Sequence, residues 1–140
     1  MTTILRHSIW FSRLVLLVAV ALFTMIAIKY LLDPVGASAP YAISLGSSAA
    51  RTNTRVGDGG FPLGFALVLL ACLLSKRRLL LGLGLFVTLI MVVTAVRVFG
   101  LVVDGPAPWT LQVRKPEVAL VAPSTLALLL ERGRRRQEVP

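Results

Sequence analysis

From Leu79 to Val103 the chain runs for 25 residues with a single charge, Arg97. A helix of that length is about 37 Å long at about 1.5 Å per residue. It crosses a hydrocarbon core of about 30 Å with some tilt. A soluble fold of 140 residues, 56% of them hydrophobic, has too little interior to hide this run together with the others. An integral membrane domain is the simpler solution.

Two further runs agree. Ile9 to Leu32 is interrupted only by Ser12, Arg13, Thr24 and Lys29 and stops at Asp33-Pro34. Arg13 and Lys29 lie near its ends, where long basic side chains snorkel to the interfaces. Arg6, the apolar stretch and "ASA" at 37–39 also resemble the three regions of a signal peptide; the expectation is that the run is retained as the first membrane helix. Phe61 to Leu74 is shorter than a span needs. Extending it backward through Gly57 and Arg55 supplies the missing length. Ser47 and Ser48 are candidate caps, and Arg51, Arg55 and Asp58 follow at spacings of four and three, one face of a helix. Helix two is therefore expected from about Ser47. Gly60 and Gly64 form a G-x-x-x-G pair suited to close helix packing, and Pro62 is tolerated inside a membrane helix whose neighbours satisfy the freed carbonyl.

"SKRR" at Ser75 to Arg78 makes a short basic turn, so helices two and three are antiparallel neighbours. "DGPAPW" ends helix three, and Trp109 suits an interfacial belt. The fourth segment is expected to start with Pro116 in its first turn, to carry Glu117 there, to kink at Pro123 and to give way to a basic tail, "ERGRRRQEVP", read as a topology-fixing solvated tail, with binding of anionic lipid heads by its arginines as the alternative.

The net charge of +9 does not point to nucleic acid, because the basic residues punctuate apolar runs instead of clustering on one face. Cys72, the one cysteine, and His7, the one histidine, permit neither an internal disulfide nor a multi-ligand zinc site. No metal or cofactor is expected. Nine basic residues, at Arg6, Arg13, Lys76, Arg77, Arg78, Arg132, Arg134, Arg135 and Arg136, face one side, and four, at Arg51, Arg55, Arg114 and Lys115, the other. The positive-inside rule then puts both termini in the cytoplasm.

The result is an all-α, integral membrane four-helix bundle, one domain over residues 1–140, with spans at about 9–32, 48–75, 79–103 and 116–131 and a basic tail at 132–140. In it, Arg51, Arg55, Asp58, Arg97, Asp104 and Glu117 collect near the outer ends of the helices. A charge at bilayer depth costs about 2.5–3.5 kcal/mol even on lenient scales, so Arg97 needs a partner, and Glu117 or Asp58 is the expected one. The cluster either fixes helix register or floors an outward-opening pocket for a small molecule, lipid head group or quinone. No nucleophile–base pair or phosphate loop accompanies it.

"ARTNTRVGDGGFPLGFAL", "VRVFGLVVDGP" and "KPEVAL", spread over four short spans, resemble the bacterial membrane family catalogued as domain of unknown function 4345. The resemblance covers about residues 10 to 131. It matches Arg55, Gly57, Gly59 and Gly60, then Arg97, Asp104, Gly105 and Pro106, then Glu117, with Asp58 among the glycines and Pro62 inside helix two as departures. It implies a fold and no activity. The function expected from sequence is a non-enzymatic accessory or stabilising subunit of a larger complex in a bacterial inner membrane. The alternative is a stand-alone carrier or binding protein that uses the Arg/Asp/Glu cluster. A continuous cavity between the helices favours the second; a filled core with mutually satisfied charges favours the first.

Overall fold

A computed structural model describes residues 2–105 and 108–138, with side chains described at 9–105 and 119–137. Among the described residues every regular element is helical. Helix α1 is Thr2–Leu32, α2 is Pro34–Ser38, α3 is Ser48–Thr54, α4 is Phe61–Leu73, α5 is Leu79–Val103 and α6 is Pro108–Glu138. A 3₁₀ turn, Ala39–Tyr41, follows α2, and a π-helical turn, Arg55–Gly60, joins α3 to α4. Among the described residues, three stretches are long and apolar enough to cross a membrane: Ile9–Leu32, Ser48–Leu73 and Leu79–Val103.

The boundaries follow from local chemistry. Pro34 cannot extend α1, since its nitrogen carries no hydrogen. Asp33 instead caps α2, its carboxylate accepting the Gly36 N–H at 2.9 Å. Ser47 caps α3 in the same way, accepting from Ala50 N–H at 3.0 Å. At the opposite end the turn between α4 and α5 is closed by the Ser75 and Arg78 amides on the Cys72 and Ser75 carbonyls.

Pro62 explains the π turn. In an α-helix its nitrogen would donate to the carbonyl four residues back, at Asp58, and it has no hydrogen to give. The chain widens by one residue immediately before it, and the Phe61 amide reaches back five residues to Val56. Three glycines in "RVGDGG" make this wide turn accessible.

α1 is the central helix, packed on α4 and the π turn along one side and on α6 along the other, while α5 lies mainly against α6. The core consists of Val15, Leu16 and Ala19 from α1, Leu69 from α4, Leu79, Leu83 and Phe86 from α5, and Ala127 and Leu128 from α6. It occupies the half of the bundle nearest the α4–α5 turn. There Gly82 is required: a Cβ at that position would fall 2.6 Å from Cys72 Cβ and 3.0 Å from Leu16 Cδ1.

The fourth helix corrects the sequence expectation. It starts at Pro108, eight residues before Pro116, and continues to Glu138. Pro108 already supplies a proline for the first turn. The helix is unbroken at Pro123, with the Ser124 hydroxyl donating to the Leu120 and Val121 carbonyls at 2.6 and 3.1 Å. Residues 132–138, expected as a solvated tail, are helical because Glu131 holds them. Its carboxylate is fully buried and accepts from Arg134 Nε at 3.1 Å and Nη2 at 2.5 Å. Arg135 Nη2 in turn donates to the Lys76 and Arg77 carbonyls at 3.1 and 2.6 Å, fastening α6 to the α4–α5 turn.

Candidate functional site

Away from the α4–α5 turn the helices separate, and the space between them is a cavity of about 830 Å³. Its walls are apolar and aromatic: Phe23 and Ile26 from α1, Phe61 and Phe65 from the start of α4, Leu89 and Val93 from α5. The Phe23 ring stands edge-on to Phe65, with centroids 5.1 Å apart, and edge-on to the buried Phe86 at 6.3 Å. This aromatic group separates the cavity from the packed core. Edge-to-face stacking holds the rings in defined orientations, so the cavity has a rigid base.

Its polar groups come from four elements. Lys29 and Tyr30 lie in the last turn of α1, Tyr41 in the 3₁₀ turn, Asp58 in the π turn, and Arg97 in α5. The Tyr30 phenol is close enough to Tyr41 and Asp58 to feel both electrostatically. Arg97 is half-buried, and Arg97 and Tyr41 each have an interaction partner. Two cations, two phenols and one carboxylate thus line one cavity, a set with an excess of hydrogen-bond donors over acceptors.

The π turn is what brings Asp58 here. An inserted residue rotates everything after it by about 100° relative to an α-helix, which leaves Asp58 lining the cavity and turns Gly59 toward α1. Gly59 is buried, and a Cβ there would stand 2.9 Å from Leu31 Cγ. The close helix approach expected at Gly60 and Gly64 is therefore made at Gly59. A Cβ at Gly60 would meet only the Arg55 carbonyl, at 3.8 Å, and one at Gly64 would meet nothing within 4 Å.

Of the six charged residues singled out in the sequence, the structure brings Asp58 and Arg97 to one cavity. Arg55 does different work: its Nε donates to the Leu31 carbonyl at 3.0 Å, satisfying one of the acceptors left open at the end of α1. Arg51 is exposed on α3. Asp104 is the exposed C-cap of α5, its amide bonded to Gly100 O at 2.8 Å. Glu117 belongs to α6, and its side chain lies outside the described residues. Lys29, Tyr30 and Tyr41 were not anticipated. Lys29 has the sequence signature of a snorkelling end residue, and no periodicity links a loop tyrosine to a helix two elements away.

The model of one family, described as Domain of unknown function (DUF4345), matches residues 11–128. The chain belongs to this family. The DUF4345 match takes in every residue lining the cavity and ends before Glu131 and the arginines beyond it. No curated protein and no solved structure matches this DUF4345 chain.

Proposed function

We propose that this chain is a multi-pass protein of a bacterial inner membrane that binds a small amphipathic molecule between its helices, as a carrier or binding protein. In this reading α6 is the fourth span, both termini are cytoplasmic, and the cavity opens toward the outer face. The observation that carries it is the 830 Å³ cavity lined by Lys29, Tyr30, Tyr41, Asp58 and Arg97 together with Phe23, Phe61 and Phe65. A ligand site of this kind is a largely apolar concavity with a few convergent polar groups. The excess of donors suits an oxygen-rich head, such as a carboxylate, a phosphate ester or a quinone carbonyl. The aromatic walls suit an apolar ring or chain attached to it.

The apolar outer surface, which includes Trp10, Met25, Leu32, Phe99 and Val102, needs only lipid to cover it. Association with a larger complex is not required to account for it. The test is gentle detergent extraction at native abundance, followed by native mass spectrometry and analysis of the organic extract. The expected outcome is one small amphipathic molecule per chain, retained about tenfold less well by Arg97→Ala, since a hydrogen bond to a charged group contributes about 1.5–3 kcal/mol, and no less well by Asp58→Asn, since a carboxylate has no hydrogen to give an oxygen-rich head. A stoichiometric complex with a larger membrane protein and no bound small molecule would sink this reading and restore the accessory-subunit expectation.

A further inference from the structure

A second concavity lies on the other side of α5, between α5 and α6, with a volume of about 630 Å³. Of its lining residues only Leu89 also borders the cavity described above. One end is basic, with Arg77, Arg132 and Arg135, and the remainder runs along one face of α5 from Leu80 to Val92, aliphatic except for Thr88 and Gly84. Those twelve steps of helix are about 18 Å long, about the depth of one leaflet of a hydrocarbon core roughly 30 Å thick.

The basic end carries charge that its own surroundings do not neutralise. Glu131, the carboxylate described there, is occupied by Arg134 at 2.5 Å and Arg135 at 3.6 Å. Arg135 is further committed to the Lys76 and Arg77 carbonyls, which fixes the position of the turn that carries Arg77. The Arg77 and Arg132 residues are exposed. Halfway along the aliphatic face, Gly84 leaves a recess: a Cβ there would meet no atom within 4 Å. The groove therefore joins a cationic end at helix-terminus depth to a leaflet-length apolar trough.

We propose that this groove is a binding site for one anionic glycerophospholipid, its phosphate held by Arg77 and Arg132 and an acyl chain lying along α5 over Gly84. Guanidinium groups bind phosphate oxygens in paired, directional hydrogen bonds. Basic pockets between helices on the positively charged side of a membrane protein are suited to such head groups. The site is independent of the cavity bounded by Asp58 and Arg97, and so of the ligand proposed for it.

The full chain is reconstituted in vesicles of phosphatidylcholine mixed with phosphatidylglycerol, released in mild detergent and weighed by native mass spectrometry. The expected result is one retained phosphatidylglycerol per chain, enriched about tenfold over its share of the vesicle. Arg77→Gln combined with Arg132→Gln abolishes the enrichment while phosphatidylcholine adducts remain. Gly84→Phe, whose Cβ would meet no atom within 4 Å, puts a ring over the recess and is expected to remove the phosphatidylglycerol enrichment at an unchanged unfolding midpoint. Equal retention of the two lipids by the parent chain, or enrichment that survives the double substitution, overturns the proposal. Displacement of the lipid by inorganic phosphate together with insensitivity to Gly84→Phe also overturns it, by showing a simple anion site.

Discussion

Glu131 has no exposed surface, and an ionised carboxylate in that position is stable only if its oxygens are paired. Arg134 supplies the pairing at i+3 and Arg135 adds to it at i+4. Glu131→Ala is expected to cost about 1–3 kcal/mol, because the guanidiniums lose a buried partner. Glu131→Gln, which still accepts a hydrogen bond, is expected to cost less. Thermal unfolding in detergent measures both, and equal midpoints for the Ala variant and the parent would refute the pairing argument. The spacing of Glu131 to its arginines was visible in "ERGRRR", but the density of charge made the segment look like a solvated tail. What the sequence lacks is any sign that Lys76 and Arg77 stand opposite to receive Arg135. Arg97 was legible for the opposite reason, since a charge flanked by apolar residues must be accommodated somewhere, and Asp58 was legible from its spacing to Arg51 and Arg55 on one helical face.

At the scale of the element, the segment from Ser48 to Leu73 shows how a pattern can be correct in spacing and displaced in phase. The G-x-x-x-G pair at Gly60 and Gly64 predicts which residues are small enough for close packing. It does not predict the direction they face, and the π turn shifts that direction. Pro62 was the available signal, a residue that deprives the preceding turn of a donor and so makes a widened turn favourable. Gly59→Leu and Gly64→Leu separate the two descriptions. The first forces Leu31 aside and is expected to destabilise by about 1–3 kcal/mol, as overpacking does. The second projects into open space and is expected to be neutral or to stabilise by up to about 1 kcal/mol, as replacing a mid-helix glycine does. Unfolding midpoints in the reverse order would show that the seam runs through Gly64 after all. The three long apolar stretches needed no such correction, since length and composition alone specify them.

The whole molecule divides into two halves along its long axis. One half is packed, with Leu16, Leu69, Leu83 and Phe86 fully buried, and ends in the basic α4–α5 turn and the arginines of α6. The other is open, with Asp58, Arg97, Lys29 and two tyrosines around the cavity. Cationic residues are concentrated beyond the packed half, and the proposed orientation places that half toward the cytoplasm. A membrane-impermeant thiol reagent tests this: Ser47→Cys is expected to be labelled in intact cells, and Gln137→Cys only after permeabilisation. Cys72 is buried and leaves the background low. Labelling of Gln137→Cys in intact cells would invert the topology and turn the cavity toward the cytoplasm. The all-helical fold with three long apolar stretches was predictable from the runs of apolar residues, whereas the cavity was not, because it is assembled from four elements whose relative placement no local pattern encodes.

The Ser12 hydroxyl reaches the Ala127 carbonyl at 3.5 Å across 115 residues of chain, and Arg135 reaches back 58 and 59 residues to the turn. These are the longest-range polar contacts described, and both belong to α6. The contacts among α1, α4 and α5 need no residue beyond Val103, and without α6 these helices have one flank open. Closure comes only when α6 arrives, and Glu131 enters its burial site already accompanied by the arginines that follow it within one turn. α6 thus brings to the core a charge-paired unit instead of a bare carboxylate, and the clasp that fastens it to the α4–α5 turn is made from the same few residues that would otherwise obstruct its packing.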